Sequence, residues 1–163
     1  MRSFAALLFT CAAGILLVSY HWQRLPATVA SHFHASGAVD GWMSRGANFA
    51  LSVGLLVGLT AIFWALGIMM RRVPRERFDL PNKAFWFTPE RENETRNYLA
   101  GWCWTFGALL NLFLAFVFHL LFLANTSAPV AMNDTAMTAG LAVFLAVVLA
   151  SVVVLLISFG KSR

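Results

Sequence analysis

Charged side chains are what this chain has least of. They make up 12% of its 163 residues, against 60% hydrophobic, where an ordinary soluble domain carries about 25% and roughly 45–50%. A soluble chain of this length could not hide so much apolar surface. Cysteine is nearly absent too. Cys11 and Cys103 fall in separate apolar stretches with no CxxC pair, which excludes a thiol redox motif and a zinc knuckle. No Gly-x-Ser-x-Gly, His-Glu-x-x-His, Walker or dinucleotide motif is present, so none of these enzymatic constellations stands out. Carboxylates are few, and Glu90, Glu92 and Glu94 read as a solvated helix start rather than a paired acid and base. We therefore expect a protein that is not an enzyme. The net charge of +5 does not argue for nucleic acid, because the basic residues sit in short segments flanking apolar runs instead of forming one surface.

What the chain does have is long apolar runs. Four segments, near 4–22, 49–70, 98–123 and 136–159, contain no Asp, Glu, Lys or Arg, and each is long enough to cross a bilayer, which takes about 20 residues of helix. Helices are the expected form, since hydrocarbon offers no partners for backbone N–H and C=O groups, and the alternation of barrel strands is missing. The first run continues past the small residues at Cys11-Ala12-Ala13 and reads as an uncleaved signal anchor.

Ten of the twelve Lys and Arg residues would lie on one side: Arg2, then Arg71, Arg72, Arg75, Arg77, Lys83, Arg91 and Arg96, then Lys161 and Arg163. Only Arg24 and Arg45 lie on the other. The positive-inside rule puts both termini and the 71–97 loop in the cytoplasm and the 23–48 loop outside. The expected fold is thus an all-α, four-transmembrane-helix bundle, a single multi-pass domain with a structured extracytoplasmic loop between helices 1 and 2. Trp22 and Trp42 outside, with Trp86, Tyr98, Trp102 and Trp104 inside, fit interfacial anchors. Gly54 and Gly58, and Ala142, Ala146 and Ala150, repeat small residues every four positions. That spacing lets helix backbones approach closely, either within one monomer or across a dimer.

In the first loop Pro26 starts an extended stretch, Thr28–His34 has the makings of a short strand, and Gly37 and Asp40-Gly41 mark turns. Leu25-Pro26, then His32-Phe33, then Gly37-x-x-Asp40-Gly41-Trp42, then Arg45 resembles the bacterial membrane domain known as domain-of-unknown-function family 1648. That domain is found alone or beside the SdpI-type immunity and signalling domain. The chain departs from the family pattern in having His34 where Asn is usual and Arg45 where Lys is commoner. A second likeness lies in Leu80-Pro81-Asn82-Lys83, Phe85-Trp86 and Thr88-Pro89-Glu90-Arg91. The resemblance spans roughly residues 1–125. It implies a bacterial inner-membrane protein with an accessory, signalling or immunity-like role, acting through other membrane proteins or peptides.

The 71–97 loop also reads by itself. Thr88 is an expected N-cap with Pro89 at the first helical position, and the glutamates that follow suit the positive end of the macrodipole. Arg71, Arg72, Arg75, Arg77 and Lys83 are candidates for lipid or partner contact, at about 1 kcal/mol per basic residue on an anionic surface.

All four histidines map to the outer half: His21, His32, His34 and His119. Imidazole suits zinc and copper, and Met43, Met132 and Met137 on the same side would add thioethers for Cu(I). A copper or zinc site on these histidines is therefore one alternative. A structural, hydrogen-bonded His32, which shares the family pattern with Asp40, is another, and proton sensing by the same histidines between pH 5 and 8 a further one. A separate reading makes the chain a small subunit of a larger membrane complex, or a homodimer, through its small-residue faces.

Overall fold

The computed structural model describes residues 2–34 and 36–160; Lys161 and Arg163, counted above among the topology charges, lie outside them. Helix α1 (Arg2–Trp22) leads into an antiparallel hairpin of β1 (Thr28–Phe33) and β2 (Val39–Ser44), followed by α2 (Arg45–Arg72). A 3-10 turn (Arg75–Arg77) and the one-turn helix α3 (Lys83–Trp86) precede α4 (Glu92–Thr126) and α5 (Asp134–Gly160). The four long helices are those long and apolar enough to cross a membrane, and each contains one of the charge-free runs. At 1.5 Å per residue the 35 residues of α4 span about 52 Å, well beyond a hydrocarbon core of about 30 Å.

Helix starts follow side-chain chemistry. Ser44 caps α2, its Oγ accepting from the Ala47 N–H at 3.1 Å, so α2 begins four residues before the apolar run. Thr88 does not cap α4 as expected. Its carbonyl accepts from the N–H groups of Arg91 and Glu92. Residues 88–91 thus form a separate turn, and α4 starts at Glu92 with Glu92 and Glu94 in its first turn. Hydrogen bonds from its own backbone N–H and then from Thr88 hold the Glu90 carboxyl below its usual range.

Packing departs from a symmetric four-helix bundle. Helix α4 packs along both α1 and α2, which also touch each other, whereas among the long helices α5 leans chiefly on α4. Two apolar clusters fill the three-helix core: Leu7, Ala100 and Trp104, and Cys11, Val18 and Leu56. Close approach depends on two glycines. A Cβ on Gly67 would overlap the Trp104 indole, and one on Gly107 would stand 2.6 Å from the Phe63 Cβ. Gly54 and Gly58 behave oppositely, with nothing within 4 Å of an added Cβ. Ala142, Ala146 and Ala150 are exposed as well. These small-residue repeats do not pack within the monomer. Helix α5 is nonetheless fastened at three levels: Met132 and Asp134 against Gly37, Phe113 stacked on Phe144 at 4.4 Å, and Phe159 against Trp86.

Candidate functional site

Chemistry-bearing side chains gather where the hairpin meets the helix ends. The chain leaves α1 through hydrogen bonds from the N–H groups of Arg24 and Leu25 to the His21 carbonyl. Arg45 then ties the base of the hairpin together. Its guanidinium donates to the Leu25 carbonyl at 3.0 Å, its backbone N–H donates to the Ala27 carbonyl at 2.9 Å, and it lies over the Trp22 ring at 5.2 Å. Across the sheet, Asn125 of α4 serves the backbone of Ala30. Its Oδ1 accepts from the Ala30 N–H at 2.6 Å and its Nδ2 donates to the Ala30 carbonyl at 2.9 Å. Asn125 is 6% exposed and Ala30 is fully buried, so both backbone groups would be orphaned without this amide.

At the tip, Gly37 has φ +77° and its carbonyl accepts from the Met132 N–H at 3.1 Å. A Cβ there would stand 2.7 Å from the Met132 carbonyl oxygen, so glycine is needed for both conformation and room. Gly41 faces His32, where a Cβ would come within 3.0 Å of the His32 Cβ. Register irregularities on either side of His32 turn it toward Asp40. The Asp40 carboxylate receives His32 Nδ1 on Oδ1, and His34 Nδ1 lies 3.4 Å from Oδ2. Both imidazoles are exposed. Their Nε2 atoms have no protein partner among the described residues, and both rings line an open pocket of about 380 Å³ with Met132, Asp134 and Met137. Phe33 forms part of its wall, while Trp42 is 57% exposed.

His21 and His119 form a second pair. His21 Nε2 lies 3.3 Å from His119 Nδ1, and the His21 ring stacks on Phe122 at 4.1 Å and 5°. His21 is 4% exposed, and its Nδ1 is one of two buried polar side-chain atoms without a partner among the described residues, the other being Asn111 Oδ1. A void of about 10 Å³ beside His21, Asn48 and Ser52 is near the minimum for one water. The histidines therefore divide into two pairs. No group of three or more His, Cys, Asp or Glu among the described residues is placed to hold a metal ion. The sharing of Asp40 by His32 and His34, and the stacking of His21 on Phe122, account for that division.

Residues 9–57 match the family described as Domain of unknown function (DUF1648). The matched stretch takes in most of α1, the whole hairpin with Leu25, Pro26, His32, Phe33, Gly37, Asp40, Gly41, Trp42 and Arg45, and the first half of α2. Asn125, His119 and residues 80–91 fall outside it. No curated protein and no solved structure matches the chain. Within the DUF1648 stretch the motif has mechanical roles: Arg45 closes the hairpin, Gly37 docks its tip, and Gly41 admits His32.

The basic loop divides between structure and solvent. Arg71 lies over Trp104 at 4.8 Å, Arg75 pairs with Glu76 at 3.2 Å, and Lys83 Nζ donates to the Glu76 carbonyl at 2.9 Å. Arg72 and Arg77 are exposed and in no ion pair among the described residues. Arg96 is structural, bridging Glu92 to the carbonyls of Met70 and Val73 at the end of α2. Asn82, in the left-handed region that Asn tolerates, donates to the carbonyls of Phe159 and Gly160, and the Trp86 indole N–H donates to Phe159. The Leu80–Lys83 and Phe85-Trp86 motifs thus latch the end of α5.

Proposed function

We propose that the chain is a non-enzymatic membrane protein that acts by contact, in the accessory, signalling or immunity-like manner that its likeness to DUF1648 and the SdpI association of that family imply. In this reading it lies in a bacterial inner membrane with both termini and the basic loop cytoplasmic and the hairpin outside, as the distribution of Lys and Arg favours. Its partners are lipids and other membrane proteins, or a second copy of itself.

The observation that carries the proposal is the bare small-residue face of α2. Gly54 and Gly58 sit four residues apart with open space beyond both, on a helix whose neighbours Leu51, Leu55, Val57 and Ile62 are also exposed. Backbones that can approach closely associate through packing and weak polar contacts within lipid. A paired Gly54→Ile and Gly58→Ile variant tests this by in-membrane cross-linking. Wild type should cross-link to itself or to a membrane protein, and the variant should not. A wild type that stays single at any expression level would sink the reading.

A further inference from the structure

At the other end of the molecule, a cavity of about 110 Å³ opens between the start of α4, the end of α5 and the 86–91 turn. Three aromatic rings wall it. Phe159 meets Trp86 edge-on at 5.3 Å and Tyr98 at 5.7 Å. The wall is held in place, because the Trp86 N–H donates to the Phe159 carbonyl at 3.0 Å and Thr95 Oγ1 donates to the Trp86 carbonyl at 2.9 Å.

Arg91 and Glu94 line the same cavity. Three positions apart at a helix start, they are near enough to pair, yet neither is in an ion pair among the described residues. The Arg91 guanidinium lies over the Phe85 ring at 3.7 Å, and a guanidinium stacked on a ring keeps N–H donors in its plane. One small, largely apolar cavity is therefore walled by aromatic rings and bordered by an arginine and a glutamate that are in no ion pair among the described residues. Its level is informative, since Tyr98 opens the charge-free run of α4 and Phe159 closes that of α5.

We propose that this cavity binds the ethanolamine-type headgroup of a membrane phospholipid, with its ammonium against the aromatic faces and Glu94 and its phosphate on Arg91. The inference goes beyond the contact role and rests only on the chain being membrane-embedded. Aromatic faces attract an ammonium most strongly when it is desolvated, and the guanidinium fork matches phosphate oxygens. A glycerol headgroup would leave Glu94 facing a negative ligand with no cation between them. A choline headgroup has no N–H to donate to the carboxylate. The cavity is smaller than the ~150 Å³ that admits benzene, which suits a two-carbon amine.

The test is native mass spectrometry of the detergent-purified full chain, offered ethanolamine, choline and glycerol phospholipids of identical acyl chains in equal amounts. The ethanolamine lipid should be retained about tenfold over the glycerol lipid, the ratio that about 1.4 kcal/mol gives. Glu94→Gln should abolish that preference while keeping total lipid retention, and Arg91→Gln should lower retention of all three. Should Arg91→Gln fail to fold, Glu94→Gln carries the test alone, because Glu94 is exposed and makes no ion pair. Equal retention of the three lipids by wild type, or an unchanged preference in Glu94→Gln, would overturn the site. Soluble phosphoethanolamine should displace the lipid only in large excess. Displacement at equal concentration would make a free phosphate ester the ligand and overturn the lipid assignment.

Discussion

The side-chain amide of Asn125 donates to and accepts from one residue of β1, the pair of bonds that a neighbouring strand would supply. Replacing it with Leu keeps the bulk and removes both bonds, leaving the Ala30 N–H and C=O unmade at about 1–3 kcal/mol each. Hydrogen exchange should show Ala30 losing protection in Asn125→Leu while the middle of α4 keeps its own; retained protection at Ala30 would contradict this. Gly37 acts at the same scale. A Gly37→Ala variant carries a left-handed penalty of about 1–2 kcal/mol and a clash with the Met132 carbonyl, so its melting temperature in detergent should fall measurably. The glycine was readable from the sequence as a turn marker. Asn125 was not, because an Asn at the end of an apolar run looks like any helix-end polar residue until the strand it serves is in place.

At the scale of elements, the glycines separate into two kinds that differ only in what stands opposite them. Gly67→Ala pushes a methyl into the Trp104 indole, and overpacking of this sort costs about 1–3 kcal/mol. Gly54→Ala meets open space and gains helix propensity, worth up to about 1 kcal/mol. Thermal melts of the two variants in detergent should therefore move in opposite directions, and equal shifts would mean the packing is misassigned. The four long helices were legible because runs of about 20 uncharged residues have few other uses. Their arrangement was not. Helix α5 is apolar on every side, so nothing in its sequence distinguishes a buried helix from one that leans chiefly on α4. The start of α4 also escaped, since Thr88 and Pro89 read as a cap while the Thr88 carbonyl closes a separate turn ahead of Glu92. A short strand over 28–34 was expected, and β1 runs Thr28–Phe33; that the partner of His32 is Asp40 needed the hairpin register. The separation of the four histidines into two pairs depends on bulges and ring stacking that spacing does not reveal.

For the whole molecule, the distribution of basic residues makes a prediction about sidedness. Single cysteines at Ser36, beside the hairpin tip, and at Arg77, in the basic loop, should differ in labelling of intact cells by a membrane-impermeant maleimide. The first should react and the second should react only after lysis. The reverse pattern would invert the molecule and move the hairpin pocket to the cytoplasm. Cys11 is buried and Cys103 lies in the apolar run of α4, so both should contribute little background.

The lean of α5 on α4 also bears on the order in which the molecule is made. The two apolar clusters draw on α1, α2 and α4, all of which precede Asp134 in the chain. A nascent chain could complete its interior before the last helix leaves the ribosome. What α5 adds on arrival is closure at both ends, through Met132 against the hairpin tip and Phe159 in the Asn82–Trp86 latch. A chain stalled short of α5 should already be compact yet hold neither end shut, so partial proteolysis of such a chain should nick the hairpin tip and the 80–91 loop first.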